Sequence, residues 1–320
     1  MTLSAEAARA RAERLAATPF DVVASHSGGF FRGFFRSLAD VVGQRELLVL
    51  LVRRELKARF KDSSLGFLWT LIRPITLLMI YFVAIGQFLG AARLIPDFAI
   101  FVFAGLTLWG LYNEIIVGGT SSIVSNAGLI KKVYLPREIF PLAASGSAIV
   151  TFLIQLGILV AAVLLLGQFP LSWNLLYVPV AIAIVLVYGV SLAILLSALN
   201  VYLRDVQYLV EVGMLIFFWA SPIVYSWSFV VDAAQRTGLT WLTDVYLLNP
   251  ISTAMLAFQR GIWKAGSESR VLDAVTTVPA QPWPADLDLR LAITFLIGLV
   301  LFLVGQRVFS RLQGNFAQEI

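Results

Sequence analysis

Six long apolar stretches separated by short polar ones dominate the chain, near residues 67–89, 98–120, 140–167, 175–199, 207–230 and 291–309. Each is on the order of 20 residues or longer, the length a helix needs to cross roughly 30 Å of hydrocarbon. Inside a bilayer a helix satisfies its own backbone hydrogen bonds, which no water can do for it. The pattern therefore predicts an all-α integral membrane protein with six transmembrane helices.

Two shorter segments have a sided pattern. In residues 45–62, RELLVLLVRRELKARFKD, Leu48, Val52, Leu56 and Phe60 share one helical stripe, opposed by Arg53, Arg54, Lys57 and Lys61. With Arg59, these cations predict an interfacial helix that faces anionic headgroups; a cytoplasmic extension of the first span is the alternative. In residues 251–264, ISTAMLAFQRGIWK, the stripe is Ile251, Met255, Phe258 and Ile262, following the helix-starting pair Asn249 and Pro250. This predicts a short re-entrant or interfacial helix at the outer leaflet between spans five and six. The rest of the 232–290 stretch carries Pro279, Pro282 and Pro284 and reads as an exposed loop, its proline-rich part at 265–285 having no assigned role.

Composition strengthens the membrane reading: 59% of the 320 residues are hydrophobic and 13% charged, against about 45–50% and about 25% in soluble domains. Cysteine is absent, and the single histidine, His26, lies in a polar N-terminal stretch, residues 1–44, read as a cytoplasmic tail without a signal peptide. The net charge of +5 comes from cations that flank the spans. Orientation explains them better than nucleic acid: both termini and the loops holding Lys131, Lys132, Arg137 and Arg204 read as cytoplasmic.

Several chemistries find no residues here. The five lysines follow Leu, Phe, Ile, Lys and Trp, so no glycine-lysine P-loop exists to hold ATP, and neither G-x-S-x-G nor H-E-x-x-H occurs. We expect no catalytic residue and no metal site. Asp286-Leu287-Asp288 is a D-x-D that a metal-dependent glycosyltransferase would use, but acidity at the start of the sixth span explains it more simply. An ion-coupled secondary transporter should show an internal repeat, and none is evident.

Arg73, Glu114 and Glu211 are ionisable residues inside apolar segments, which is costly enough to be informative. Arg73, beside Pro74, is expected either to pair with Glu114 or Glu211 or to snorkel to headgroups. Aromatic residues cluster at Phe67, Trp69, Tyr81, Phe82 and Phe88 and again at Phe217, Phe218, Trp219, Tyr225, Trp227 and Phe229. Of these, Trp69, Tyr81, Phe217, Phe218, Trp219 and Tyr225 are candidates to line a path on which sugar rings stack, interfacial anchoring being the alternative. Small residues at Gly118, Gly119, Ala143 and Ser147 would let helices approach closely.

Four segments in order, 53–69 (RRELKARFKDSSLGFLW), 126–141 (NAGLIKKVYLPREIFP), 200–205 (NVYLRD) and 221–225 (SPIVY), resemble the ABC-2 type permease family. The similarity is to its polysaccharide-export branch, which includes O-antigen, teichoic-acid, capsule and actinobacterial galactan exporters. The resemblance implies a homodimer in the inner membrane, each subunit docked on a separate cytoplasmic ATPase that holds ATP and Mg. It implies no cofactor on this chain and a lipid-linked glycan as cargo. It also implies that Leu129, Ile130, Lys131, Lys132, Val133, Pro136 and Arg137, together with Arg204 and Asp205, couple the chain to that ATPase. A small-molecule or lipid exporter of the same family, or a polyprenol-dependent transferase, is the alternative.

Overall fold

The computed structural model describes residues 43–60, 68–133, 135–167, 170–267, 270–271, 277–278 and 280–320. The tail to residue 42 with His26, and Lys61, Phe67, Tyr134, Glu268, Asp273 and Pro279, lie outside the described residues.

The chain begins with α1 (Arg45–Phe60) and α2 (Trp69–Tyr81), the latter continuing as a π-helical stretch Phe82–Phe88, then α3 (Ala91–Leu94) and α4 (Phe98–Ser125). Next come α5 (Ala127–Ile130), α6 (Ile139–Leu165), a 3-10 turn Trp173–Leu176 leading into α7 (Tyr177–Tyr202), and α8 (Val206–Trp219). Four short helices follow: α9 (Trp227–Thr237), α10 (Trp241–Leu247), α11 (Pro250–Ile262) and α12 (Lys264–Ser267). The last span is α13 (Leu287–Leu312), and α14 (Phe316–Glu319) ends the chain. A two-residue antiparallel ribbon pairs Arg270–Val271 with Thr277–Val278.

Five of these units are long and apolar enough to cross a membrane: Trp69–Phe88, Phe98–Ser125, Ile139–Leu165, Trp173–Tyr202 and Leu287–Asn315. The fifth predicted span, 207–230, is not one helix. α8 has 14 residues, a length of about 21 Å, and the chain then breaks at 220–226 before α9 begins. The cause is local: Pro222 has no N–H to donate and disfavours helix at Ser221. Irregular backbone survives at membrane depth only where protein covers it, and Ser221, Pro222, Ile223 and Val224 are all buried. Gln259 Nε2 donates to the Pro222 carbonyl at 2.7 Å, while Asn249 Nδ2 and Ser252 Oγ donate to that of Ala220 at 3.3 Å. Gly105 leaves room for the break, since a Cβ there would stand 2.6 Å from the Ile223 oxygen.

The partner of that break is α11, and of the two readings of this helix, re-entrant or interfacial, its burial fits the first. Rather than lying at the surface, 11 of its 13 residues are buried, enclosed by α4, α7 and α13. Its polar residues serve backbone carbonyls: Thr253 Oγ1 donates to Leu247 at 3.0 Å, beside the Ser252 and Gln259 bonds above. The predicted exposed loop is tied down at both ends as well. Trp263 Nε1 donates to the Pro96 carbonyl, Trp227 Nε1 to that of Pro282, and Ser226 Oγ to Gln281 Oε1.

At the other end, α1, α5, the loop before α6, the end of α7 and α14 share one core around Leu51, Ile130, Phe140, Val201 and Phe316. The described parts of α1, the 126–137 loop, the end of α7 and the C-terminal segment thus gather at one end of the bundle. Within α1 the inward residue is Leu51, which is buried, with Leu47, Leu48 and Val52 beside it; the stripe is rotated from the one the spacing predicts. Val52 packs onto α6 where Gly146 leaves space for it.

Candidate functional site

A cleft of about 660 Å³ opens between α2, α4 and α6, with α1 and α8 at its margins. One face of α2 lines it through Trp69, Arg73, Leu77 and Tyr81, spaced four apart so that they stack along the helix. α4 contributes Leu106, Trp109, Gly110, Asn113, Glu114, Val117 and Gly118, α6 contributes Thr151 and Gln155, and Phe218 and Arg59 complete the wall.

Its aromatic rings form a chain. Phe218 lies 6.0 Å from Tyr81, 5.5 Å from Trp109 and 5.4 Å from Trp219, and Trp109 lies 5.9 Å from Tyr112. The amides of Asn113 and Gln155 are half-buried and make no hydrogen bond among the described residues. Apolar ring faces with a few convergent polar groups are the usual makings of a ligand site. Here they suit a ligand with both C–H faces and hydroxyls.

Of the two readings of Arg73, the charges go against the pairing one. Glu114 Oε2 accepts from Arg59 Nη1 at 2.8 Å, so its partner is the interface helix and not Arg73. Glu211 accepts from Gln207 at 3.3 Å. Arg73 lines the cleft and forms no ion pair among the described residues. A second cation of α1, Arg54, bonds Asn126 Oδ1, so two of the residues expected to face headgroups reach inward to α4, while Arg53 and Lys57 stay exposed. Between these pairs, burial pushes the Glu55 carboxyl above its ordinary range, with Arg59 and Arg54 pulling it back.

Of the six path candidates, Trp69, Tyr81 and Phe218 line the cleft. Phe217 and Trp219 are exposed on α8, and the Tyr225 hydroxyl is held by the Trp219 carbonyl at 2.8 Å and by Tyr246 at 2.9 Å. Trp109, Asn113, Thr151 and Gln155 were not singled out by sequence. Their helices are apolar all round, so no face announces itself.

The coupling candidates occupy the end of the bundle near α14. Lys131, Lys132 and Val133 are exposed, but Ile130 is buried in the chain's own core and Leu129, Leu135, Pro136 and Arg137 are partly covered, which leaves Val133 as the apolar tip among the described residues. Arg204 and Asp205 sit exposed in the turn between α7 and α8. Sequence reasoning missed what braces this end: Phe316 is fully buried, 5.4 Å from Phe309 and 6.1 Å from Tyr202, with the Arg137 guanidinium 5.6 Å from its ring centre. Lys131 Nζ donates to the Ile320 oxygen at 3.0 Å.

The two carboxylates of the D-x-D serve different partners. Asp286 accepts from Arg290 Nε at 2.7 Å, which holds its carboxyl below the usual range, and Arg290 also bonds Asp244 at 2.6 Å. Asp288 accepts from the Tyr177 hydroxyl at 2.6 Å. They act as helix-start contacts.

Comparison with known proteins agrees with the geometry. The family described as ABC-2 type transporter matches residues 46–263. The O-antigen export system permease protein RfbA of Myxococcus xanthus is 32% identical over 70% of this chain and 83% of its own length. Two proteins of the same name from Klebsiella pneumoniae are 25% and 26% identical, each over 85% of this chain and 94% of its own length.

Proposed function

Because the chain belongs to the ABC-2 type transporter family, we propose that it is the membrane permease of an ATP-driven exporter whose cargo is a lipid-linked cell-surface polysaccharide. The observation that carries this reading is the extent of the match: relatives named as O-antigen export permeases align over 70–85% of the chain. The family match, residues 46–263, includes the α2–α4–α6 cleft and the loops at 126–137 and 203–205.

In this reading the permease sits in the inner membrane with both termini cytoplasmic, as two copies that each dock an ATPase. Lys131, Lys132, Val133, Arg204 and Asp205 meet the ATPase, which holds ATP and Mg, and Phe316 keeps the docking loop in place. The cargo moves along the cleft. Rings of Trp69, Tyr81, Trp109 and Phe218 offer apolar faces to sugars, and the free amides of Asn113 and Gln155 offer replaceable hydrogen bonds. Weak, repeated contacts of this kind let a polymer slide.

Depleting the chain in its native host tests the reading. Surface polysaccharide should fall while lipid-linked glycan accumulates on the cytoplasmic side, and a tagged copy should recover an ATPase subunit. Normal surface glycan after depletion, with no ATPase recovered, contradicts it.

A further inference from the structure

Among the described residues, the charged groups lining the cleft are two guanidiniums, Arg59 and Arg73, and one carboxylate, Glu114. Glu114 occupies Arg59 at 2.8 Å, and Arg73 forms no hydrogen bond or ion pair among the described residues. Arg73 is exposed within this open cleft, so its five donors can reach an anion that enters it. Arg73 stands one helical turn from Trp69 and two from Tyr81 on the same face of α2, so a cation and ring faces alternate along one wall.

We propose that Arg73 and Arg59 form a subsite for the phosphoryl group that joins a glycan to its lipid. The inference rests on the exporter reading above and adds the moiety recognised. Guanidinium binds phosphate oxygens through two parallel N–H bonds, which matches this chemistry better than an ammonium would. The rings above Arg73 then receive the first sugars, and Glu114 holds Arg59 in place until a phosphoryl oxygen replaces the carboxylate. Two lipid sources carry such a group, the glycan's own anchor and ordinary anionic phospholipid, and the proposal commits to the anchor.

The test uses the purified full-length chain in nanodiscs and a short prenyl diphosphate disaccharide as probe. Three comparisons accompany it: the same disaccharide on a prenyl chain without phosphate, competition by phosphatidylglycerol, and the variants Arg73→Gln, Arg73→Lys and Glu114→Gln. Binding of the diphosphate probe should weaken about tenfold or more in Arg73→Gln, the size of a lost charge-assisted bond. Arg73→Lys should recover only part of the binding lost in Arg73→Gln, since an ammonium keeps the charge and loses the paired N–H bonds, and Glu114→Gln, which frees Arg59, should bind at least as tightly as the parent. Equal binding of the phosphate-free probe, or of Arg73→Gln, overturns the subsite. Displacement by phosphatidylglycerol as effective as by unlabelled probe shows a general headgroup site and overturns the commitment to the anchor. Binding is read on the isolated chain and export in cells, so the subsite and the exporter reading fail separately.

Discussion

The stretch from Trp69 to Phe88 and helix α4 are equally apolar, yet 67% of the most apolar part of α4 is buried and 6% of that of the Trp69–Phe88 stretch. Hydropathy places both in the membrane and says nothing of what each faces. The difference lies in small residues. α4 meets α7 at Gly119, where a Cβ would fall 2.4 Å from that of Ala193, and meets the 220–226 break at Gly105. The stretch from Trp69 to Phe88 touches neighbours along one edge and leaves Met79 and Ile80 uncovered. One helix is the hub of the fold, the other a wall with an open side.

The sharpest way to break this contrast is to fill the hub. Gly119→Leu should abolish folded protein, since overpacking costs about 1–3 kcal/mol even where side chains can adjust, and here backbone must move. Met79→Ala on the wall should shift stability by no more than about 0.5 kcal/mol. Monodisperse yield in detergent and thermal melting check both.

A step down in size is Gln259→Leu, which leaves the Pro222 carbonyl without its donor. The expected loss is about 1–3 kcal/mol, the cost of an orphaned buried acceptor. Melting of the variant beside wild type measures it.

Smaller again is the link between α1 and α4. A double-mutant cycle on Arg59→Gln and Glu114→Gln should give a coupling of about 1 kcal/mol or less, because both side chains remain partly exposed. The same cycle on Arg73→Gln and Glu114→Gln should be additive. Strong coupling there would restore the pairing the sequence suggested.

The smallest effect is on Glu55, whose carboxyl burial holds above its ordinary range. The folded chain keeps that proton more firmly than the unfolded chain. Its contribution is therefore full at acid pH, below the unfolded value, and declines as pH rises through the folded value. Glu55→Gln should flatten that decline and raise the melting temperature slightly at neutral pH. A melt series across pH reads it out.

Much of this contrast was legible in part. Spans and loops followed from apolar runs and flanking cations, because solvent exclusion acts on every residue of a run. Gly118 and Gly119 could be marked as close-approach positions, but their neighbours could not be named. The inward turn of Arg54 and Arg59 could not be read either, since Glu114 and Asn126 lie 55 and 72 residues away. The same holds for α11, whose serine, threonine and glutamine look solvated until the carbonyls of residues 220–222 and 247 come into reach. Trp109 and Gln155 were hidden for the opposite reason, lying in helices too uniformly apolar for a face to stand out.

The open side of the wall is where the account is most exposed to test. The chain contains no cysteine, so single cysteines report cleanly. Gln155→Cys and Thr151→Cys lie in the cleft, and Leu296→Cys and Val300→Cys on the bare face of α13. Labelling by a membrane-impermeant maleimide during export, with surface glycan as readout, addresses the cleft directly. The account predicts that the cleft cysteines react and that their modification stops export, while the α13 cysteines stay unreacted. Unreactive cleft cysteines, or export that continues after they are fully modified, would contradict it.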